Sequence, residues 1–544
     1  MRRRLPREQT DGGVDLGEAL RALDADGLRA FIGEALERLE PEARGPIEDV
    51  LIRRAAARGG YRPAAPSPKI VDEGLALAKE ARRVAYADPM AVSEQLRHGI
   101  MASLAGEHAI ARRVFEAWLF PIAEAEIDLG QHERVEELLS VDLHDCVGRY
   151  LLSVYLETPT RARVEAIVTA TERTSGLGGL VEPVRAMEQA LGRALPEDEV
   201  FLDAWIERLE SSPRGKHEWE SEHERWLRDA VARRDGTPGL ARIARATKQP
   251  RAIAAWCDAV SKEGDWKKAL AACEEAVTLV KSGLWVGDFL DGAALAASKL
   301  GREDAAKKLE AAWVGAPSLA RLLRWLVVDD ANAATIRERA AATIDASPTR
   351  SRRLHAFLDV IVGDIPSAAN ALKSAPGLGW SSDDHPGQLL FPVFAWLLAD
   401  GTPKGVSVGV VELLKQAHRS LLDAPLEGGE GSTRLPTPTV LDVLERANIR
   451  PNVAPEDRAA ALDAMRSAAA KRTDGVTGGE RQRHYGHAAM LVGCCVEADR
   501  QGAARWLEAL RARTSRFPAY QRALLAALGG APRYLEARSL ARGE

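Results

Sequence analysis

Two helical segments with the same beginning recur in residues 264–317, and this recurrence limits the folds that the chain can adopt. Small and apolar residues follow each glycine at the spacing of one helical face: Ala269, Cys273 and Ala276 after Gly264, and Ala306, Leu309 and Trp313 after Gly301. Another helix fits between the two segments. Small side chains let neighbouring helices approach closely, which is typical of stacked helix pairs.

The same beginning appears elsewhere in the chain. Gly106, Gly130 and Gly363 each precede a helical apolar pattern with a small or apolar residue in its first turns. We find no convincing alternation of apolar and polar residues of the kind that a half-buried strand requires. The sequence therefore predicts an all-α protein of the α–α superhelix or helical-repeat class. Ordinary helix and loop lengths allow roughly 22–27 helices.

The composition is that of a chain with packed cores. Hydrophobic residues make up 46% and charged residues 28% of the 544 positions, which excludes global disorder. A helical repeat can reach this length because each unit contacts only its neighbours. The net charge of −5, with acidic and basic positions interleaved, argues against a nucleic-acid footprint over the whole chain.

The cysteines and the apolar segments indicate a cytoplasmic protein. The five cysteines are odd in number, scattered and mostly placed in apolar helical runs, so we expect buried thiols in a reducing compartment. The first residues carry charge but lack the apolar core of a secretory signal. The most apolar stretch, residues 389–398, contains Pro392 and is too short to span a membrane.

Breaks in the helical pattern divide the chain into segments. We expect a flexible tail at 1–14, an N-terminal helical segment at 15–60, a helical repeat region at 69–422, a linker at 423–439 and a C-terminal helical block at 440–544.

Within the N-terminal segment, Asp24 or Asp26 is positioned to cap a helix with an apolar stripe. Pro41 and Pro46 are expected to end that helix, and a separate helix is predicted at 47–58.

Short motifs of nucleotide-binding and hydrolytic enzymes are incomplete in this sequence. The Gly-Lys pair at 215–216 lacks the other residues of a phosphate-binding loop, and the glycine cluster at 176–179 lacks the strand–helix context of a dinucleotide site. We interpret that cluster as a helix end and turn. The segment 379–383 lacks the final glycine of a nucleophile elbow. His132 and His223 each precede a glutamate but lack the second histidine of a zinc-protease helix.

Two groups of metal-capable residues have ordinary structural interpretations. His484, His487 and Cys494 share one face of a predicted helix that also carries Cys495. One helix cannot surround a tetrahedral ion, so we interpret this face as packed, with the histidines at its solvated end. The segment 383–385, Asp-Asp-His, is interpreted as the acidic first turn of a helix.

Tryptophan and arginine residues are the remaining candidates for a binding surface. Exposed tryptophans mark ligand grooves, but Trp256 and Trp313 lie at helical spacing among apolar residues, so we expect them in the core. Basic runs at 350–353 and 511–516 are the places where a phosphate-binding stripe would lie. The simpler interpretation is that both are solvated helix ends.

Two parts of the chain resemble known families. The helix pairs that carry Trp266, Ala269, Ala276, Ala306 and Pro317 resemble tetratricopeptide-type pairs. They depart from that family in their period of 37 residues, counted from Gly264 to Gly301, and in the missing Gly and Tyr positions of its motif.

The C-terminal block is similar to the helical region that follows the zinc finger in bacterial SWIM zinc-finger proteins. The similarity rests on His484-Tyr485-Gly486-His487-Ala488-Ala489, on Trp506, Leu507, Leu510 and Arg511, and on Phe517, and the segment 23–28 is similar to the start of such regions. The Cys-x-Cys and Cys-x-His motifs of the finger are absent, so no zinc or DNA role is transferred. The resemblance implies a long helical repeat region that binds other macromolecules.

These observations favour a protein-interaction scaffold or adaptor without catalytic activity, because stacked helix pairs present an extended surface. A protein partner is expected, without a membrane or a cofactor, and no residue is assigned a catalytic, cofactor-binding or metal-binding role. One alternative is a nucleic-acid-associated protein whose Arg-bearing helix ends contact phosphates. A second alternative is an enzyme whose site assembles from distant helices.

Overall fold

The structure, a computed structural model, describes residues 22–57, 61–130, 134–177, 182–212, 220–280, 283–346, 351–382, 384–399, 403, 405–415, 435–450 and 453–529. These residues contain 26 α-helices and no strand. The all-α prediction is confirmed, and consecutive helices pack against each other as in a helical repeat. The chain divides into two compact units, Met1–Gly239 and Leu240–Glu544. Within the described ranges, no helix combines the length and apolar character needed to cross a membrane.

The first unit begins with two helices and continues through short connections. Its helices are α1 (Ala25–Arg38), α2 (Pro41–Ala57), α3 (Pro68–Val84), α4 (Pro89–Leu104), α5 (His108–Ala123), α6 (Val135–Leu138), α7 (Leu143–Glu157), α8 (Arg163–Thr174), α9 (Pro183–Leu191), α10 (Asp198–Glu210) and α11 (Glu222–Thr247). Helix α11 carries the unit boundary, and its backbone is non-helical at Gly236, before Pro238.

The core of the first unit lies around α5 and α7. Helix α5 packs between α4 and α7, and α7 also packs against α9. Large aromatic side chains fill this space, among them Trp118 and Tyr155, which are fully buried. The Tyr155 ring meets Phe201 edge-on at 5.0 Å between centroids, and Phe201 stacks on Trp205 at 5.7 Å. Burial of such large apolar rings is the main source of stability for a helical packing of this kind.

The N-terminal helices differ from the sequence prediction in one respect. Asp24 caps α1 as expected, because its carboxylate accepts the Gly27 N–H at 2.7 Å. The predicted end of the first helix before Pro41 is confirmed, because α1 ends at Arg38. The predicted break at Pro46 and the separate helix at 47–58 are wrong: α2 begins at Pro41 and runs without interruption to Ala57. Proline is compatible with the first helical turn, where its missing N–H has no partner in the helix, and Pro46 costs one backbone hydrogen bond without ending the helix.

The second unit contains the remaining helices. They are α12 (Pro250–Lys262), α13 (Trp266–Leu279), α14 (Gly283–Lys299), α15 (Ala305–Gly315), α16 (Leu319–Val327), α17 (Ala333–Ala346), α18 (Arg352–Val362), α19 (Ile365–Ser374), α20 (Gly387–Leu398), α21 (Val406–Glu412), α22 (Val440–Arg446), α23 (Pro455–Gly478), α24 (Tyr485–Ala498), α25 (Ala503–Thr514) and α26 (Pro518–Gly529).

The glycines that mark helix beginnings in the sequence share one backbone conformation. Gly264 and Gly301 have φ of +77° and +63°, a left-handed region that favours glycine, and α13 and α15 follow them. The predicted small face of α13 is buried at Ala269, Cys273 and Ala276. Of the three corresponding positions in α15, Trp313 is fully buried, whereas Ala306 and Leu309 are half-buried, so this face of the second copy packs less tightly than that of the first.

Buried ion pairs join α14 to α16 in the second unit. The Arg321 guanidinium, 2% exposed, donates to Asp288 at 3.0 Å, to Asp291 at 2.9 Å and to the carbonyl of Ala316 at 3.0 Å. Gly287 lies against this guanidinium, because a Cβ at that position would come within 2.4 Å of it. The close approach of the two helices therefore depends on a glycine.

The structure describes only some of the residues at the predicted segment boundaries. The tail at 1–14 and residues 423–434 of the predicted linker lie outside them. Residues 435–439 have no helical structure, and Thr437 accepts a hydrogen bond from Arg324 Nε at 2.8 Å. The boundary between the two units lies within the region 69–422 that was predicted as one helical repeat.

Candidate functional site

A cavity of about 500 Å³ opens in the first unit and collects arginines from three parts of the chain. Helices α2, α4, α5, α7 and α9 and the segment after α2 all contribute to its wall. Its polar and charged lining residues are Arg53, Arg54, Tyr61, Arg62, Ser103, His108, Asp145, Arg149 and Gln189. Its volume lies in the range of ligand pockets.

One wall of the cavity is an ion-pair network between α2 and α7. Arg149 is 5% exposed, and its Nε donates to Asp145 Oδ2 at 2.9 Å, one helical turn away. Arg53 reaches the same carboxylate oxygen from α2 at 3.4 Å and lies 3.6 Å from Asp142. Two arginines thus share Asp145, which fixes their guanidinium groups beside the cavity.

Arg54 occupies the next position on α2 and differs from Arg53 in its surroundings. It is exposed, and it has no ion pair with any residue that the structure describes. Its charge is therefore not compensated within the described protein. An exposed guanidinium at the mouth of a concave site can form bidentate hydrogen bonds to a carboxylate or a phosphate group.

The fourth arginine, Arg62, comes from the extended segment after α2. Arg62 Nε donates to the carbonyl of Ala105 at 2.7 Å, and its Nη2 donates to the same oxygen. This contact needs a glycine at the next position, since Gly106 has φ of +77° and a Cβ there would lie 2.5 Å from Arg62 Nη2. The loop between α4 and α5 therefore holds the Arg62 side chain at the cavity.

Two further polar groups of the lining have unused hydrogen-bonding capacity. Ser103 Oγ and His108 Nδ1 are buried atoms without a hydrogen-bond partner among the described residues. Burial lowers the pKa of His108, an effect that Glu157 opposes and Arg62 reinforces, so the ring is neutral at neutral pH. The arginines therefore supply the positive charge of the site.

The charge of the lining determines what the cavity can bind. Among the described residues, four arginines and one carboxylate, that of Asp145, line the cavity, and the Asp142 carboxylate lies beside Arg53. Apolar side chains complete the wall, namely Val50, Leu104, Leu152, Ala190 and Leu191, together with the ring of Tyr61. Such a site is suited to an anionic group attached to a partly apolar ligand.

The C-terminal histidine and cysteine residues do not come together. Cys494 and Cys495 are fully buried, and burial raises the pKa of Cys494 to about 12. His484 and His487 are half-buried, and the His487 ring contacts Trp380 at 5.2 Å between centroids. The face is packed at Cys494, as interpreted, but His487 does not lie at a solvated end, because its Nδ1 is buried. Within the described ranges, no group of three or more His, Cys, Asp or Glu residues could hold a metal ion.

The segment 383–385 has a different role from the one predicted. Asp383 lies outside the described residues. Asp384 accepts the backbone N–H of Arg352 at 2.8 Å, so it caps α18 and not the helix that follows it in sequence. The buried His385 ring bridges the loop, because Nε2 lies 2.9 Å from the Pro376 carbonyl and Nδ1 accepts the Gly387 N–H at 3.1 Å.

The other residues that the sequence suggested as functional either have a structural role or lie outside the residues that the structure describes. Trp256 and Trp313 are buried, as expected. Gly176 lies in a 3₁₀ turn, where a Cβ would come within 2.1 Å of the Ala123 carbonyl oxygen. His223 contacts the Trp226 ring at 5.1 Å between centroids. The pair 215–216, His132 and residues 178–179 are not among the described residues.

The two basic runs lie in the second unit, where part of their charge has local contacts. Arg513 pairs with Asp474 at 3.2 Å, and the Arg516 guanidinium lies 4.9 Å from the centroid of the Phe517 ring. In the other run, Arg350 is outside the described residues.

Sequence reasoning missed the arginines of the cavity. Arg53 and Arg54 read as ordinary charges on a helix, Arg62 lies in a segment rich in Gly and Pro, and Arg149 follows Asp145 at the spacing of a common helical ion pair. No local motif connects them. The one available signal is the Arg-Arg pair on α2.

Comparisons with protein-family models and with curated proteins find no match to this chain.

Proposed function

We propose that the protein is a non-catalytic interaction scaffold of the cytoplasm that binds an acidic segment of a partner protein in the arginine-lined cavity. The observation that carries this proposal is the excess of four arginines over one aspartate among the described residues that line a cavity of about 500 Å³. Stacked helices provide the rigid support on which such a site can be maintained.

The arrangement of the arginines favours a carboxylate-bearing ligand. Arg53 and Arg149 are held by Asp145, whereas Arg54 is exposed and has no carboxylate partner among the described residues. Hydrogen bonds between a guanidinium and a carboxylate are charge-assisted and bidentate, which gives both affinity and orientation. Asp and Glu side chains of a partner supply these groups.

The apolar part of the wall favours a polypeptide over a nucleic acid. Val50, Leu104 and Leu191 lie beside the arginines, where they can contact the methylene groups or an apolar residue of a bound peptide. A nucleic acid would instead need basic residues that follow its regularly spaced phosphates. The net charge of −5 also repels a long polyanion at distances beyond the cavity.

A peptide titration tests the proposal. A fluorescently labelled short peptide rich in Asp and Glu, with one aromatic residue, is titrated with the full chain while fluorescence anisotropy is measured. We expect saturable binding that weakens with added salt, since the interaction is between opposite charges near the surface. The same peptide with Asn and Gln in place of its acids should not bind.

Two variants of α2 provide a matched comparison. Arg54→Gln removes the unpaired charge at the cavity and should weaken peptide binding about fivefold, the loss of roughly 1 kcal/mol. Arg44→Gln removes an exposed charge from the same helix, outside the cavity, and should leave the affinity unchanged. Equal effects of the two substitutions, or tighter binding of a single-stranded oligonucleotide than of the peptide, would refute the proposal.

A further inference from the structure

Arg472 in the second unit is a buried arginine without a counter-charge. Three arginines among the described residues are buried, namely Arg149, Arg321 and Arg472, and Arg472 is 6% exposed. The first two pair with aspartates. Arg472 forms no ion pair in the described part of the chain, and its one hydrogen bond is a long contact of 3.5 Å from Nη1 to the Gly377 carbonyl. Its Nε is buried and has no acceptor.

Two other buried polar groups of the second unit also lack partners, and one of them, on His487, feels the charge of Arg472. Trp380 Nε1 and His487 Nδ1 are buried and form no hydrogen bond with the described residues. Their rings are in contact, with centroids 5.2 Å apart and an angle of 75° between the planes. We refer to Trp380, Arg472 and His487 as the Arg472 cluster.

The protein holds the Arg472 cluster in place by close packing of the loop between α19 and α20 on α23. A Cβ on Gly377 would lie 2.0 Å from the Lys471 carbonyl oxygen, so the loop backbone rests directly on the helix. Lys471 Nζ donates to the Lys373 carbonyl at 2.7 Å and to the Ala375 carbonyl at 3.3 Å. The unsatisfied groups are therefore not the result of a loosely attached loop.

The electrostatic surroundings of the cluster are positive. Burial lowers the pKa of Arg472, and the charge of Arg481 adds to this effect. Burial also lowers the pKa of His487 to about 4, with further contributions from Arg472 and His484. His487 is thus neutral at neutral pH, with one ring nitrogen protonated, and can donate a single hydrogen bond.

From these groups we propose that the Arg472 cluster binds a small oxyanion, of the class of phosphate, sulfate or a carboxylate. A buried guanidinium without a counter-charge is strongly unfavourable, and a bound anion supplies that charge. Arg472 Nε–H and the Trp380 indole N–H are donors only, and His487 adds a third donor when Nδ1 carries the proton. Such a set excludes a cation. This site belongs to the second unit and is independent of the proposed peptide-binding cavity.

Thermal unfolding of the full chain in different salts tests this proposal. We expect Tm to rise by a few degrees, and to saturate, with phosphate, sulfate or acetate, relative to chloride at the same ionic strength, because ligands that bind only the folded state stabilise it. The oxyanion with the largest effect distinguishes a phosphate-like ligand from a carboxylate. The same Tm in all four salts would refute the site.

Variants assign the effect to the cluster. Arg472→Met should abolish the dependence on oxyanions without lowering Tm in chloride, since it removes the uncompensated charge and keeps the side-chain volume. Trp380→Phe, which keeps an aromatic ring and removes one donor, should shift the half-maximal effect to a higher anion concentration. Arg513→Met removes an exposed arginine of the same unit and should respond as the wild type. An Arg472→Met protein that still responds to oxyanions as the wild type does would overturn the assignment.

Discussion

The buried arginines show at the residue scale how strongly a single charge depends on its partner. Arg321 is 2% exposed and lies between Asp288 and Asp291, so its charge is compensated within the helix packing. Removing one member of such a group leaves the other charges buried, which costs more than the ion pair itself contributes.

Arg321→Ala should therefore be one of the most destabilising single substitutions in the second unit. We expect the free energy of unfolding to fall by about 3–5 kcal/mol, measured by urea denaturation. Lys373→Ala is the control, because it breaks an exposed inter-helix pair with Asp463 at 2.7 Å. That change should cost at most about 1 kcal/mol. Similar losses for the two variants would contradict this account of the buried network.

Glycine at 377 is required by packing and not by backbone conformation. Gly377→Ala would place a Cβ 2.0 Å from the Lys471 carbonyl oxygen, so the loop would have to move away from α23. We expect a loss of stability of about 1–3 kcal/mol. Gly409→Ala is the matched control, since no atom lies within 4 Å of the added Cβ and the position is in a helix. That change should stabilise by about 0.5–1 kcal/mol, and a Gly377→Ala protein as stable as the wild type would contradict the prediction.

His487 should make stability depend on pH. Its pKa is about 4 in the folded protein and 6.5 ordinarily, so between these values the unfolded state takes up a proton and the folded state does not. Stability contributed by the neutral ring is fully present above about pH 6.5 and is lost as pH falls towards 4, by up to about 3 kcal/mol. Urea denaturation across this pH range should show a shallower loss for His487→Gln than for the wild type. If the free energies of unfolding of the two proteins fell in parallel with pH, the lowered pKa of His487 would be contradicted.

At the scale of the helix, local signals determined most of what the sequence could predict. A glycine in the left-handed region and a small residue near the start of the next helix form a short pattern, which identified the beginnings of α5 after Gly106 and α19 after Gly363. Pro46 does not follow the usual rule that an interior proline breaks a helix, because α2 continues through it although one backbone hydrogen bond is missing there.

A capping box at the start of α22 gives a prediction at the same scale. Thr439 Oγ1 accepts the Asp442 N–H at 3.0 Å, and Asp442 in return accepts the Thr439 N–H at 2.8 Å. Thr439→Ala removes one of these bonds and should lower the free energy of unfolding by about 1 kcal/mol. Thr439→Ser keeps the acceptor and should be close to the wild type. Equal stability of the Ala and Ser variants, measured by urea denaturation, would contradict the role of the cap.

At the scale of the whole molecule, the cavity could not be predicted because its residues meet only through tertiary packing. Arg53 and Arg149 lie on helices distant in sequence, and Arg62 reaches the site only because the backbone at Gly106 allows it. The sequence around each of these arginines is that of an ordinary solvated charge or of a local ion pair. The all-α class, in contrast, follows from repetition along the whole chain and was predictable without knowing any long-range contact.

Hydrogen–deuterium exchange of the full chain, with and without a saturating concentration of the acidic peptide, tests the central claim most directly. Binding in the cavity predicts slower exchange in the parts of the first unit that line it, at 50–57, 61–62, 103–108, 145–152 and 189–192. The second unit should show no comparable change. Slower exchange confined to the second unit, or none at a peptide concentration that saturates the anisotropy signal, would contradict the claim that the arginine-lined cavity is the binding site.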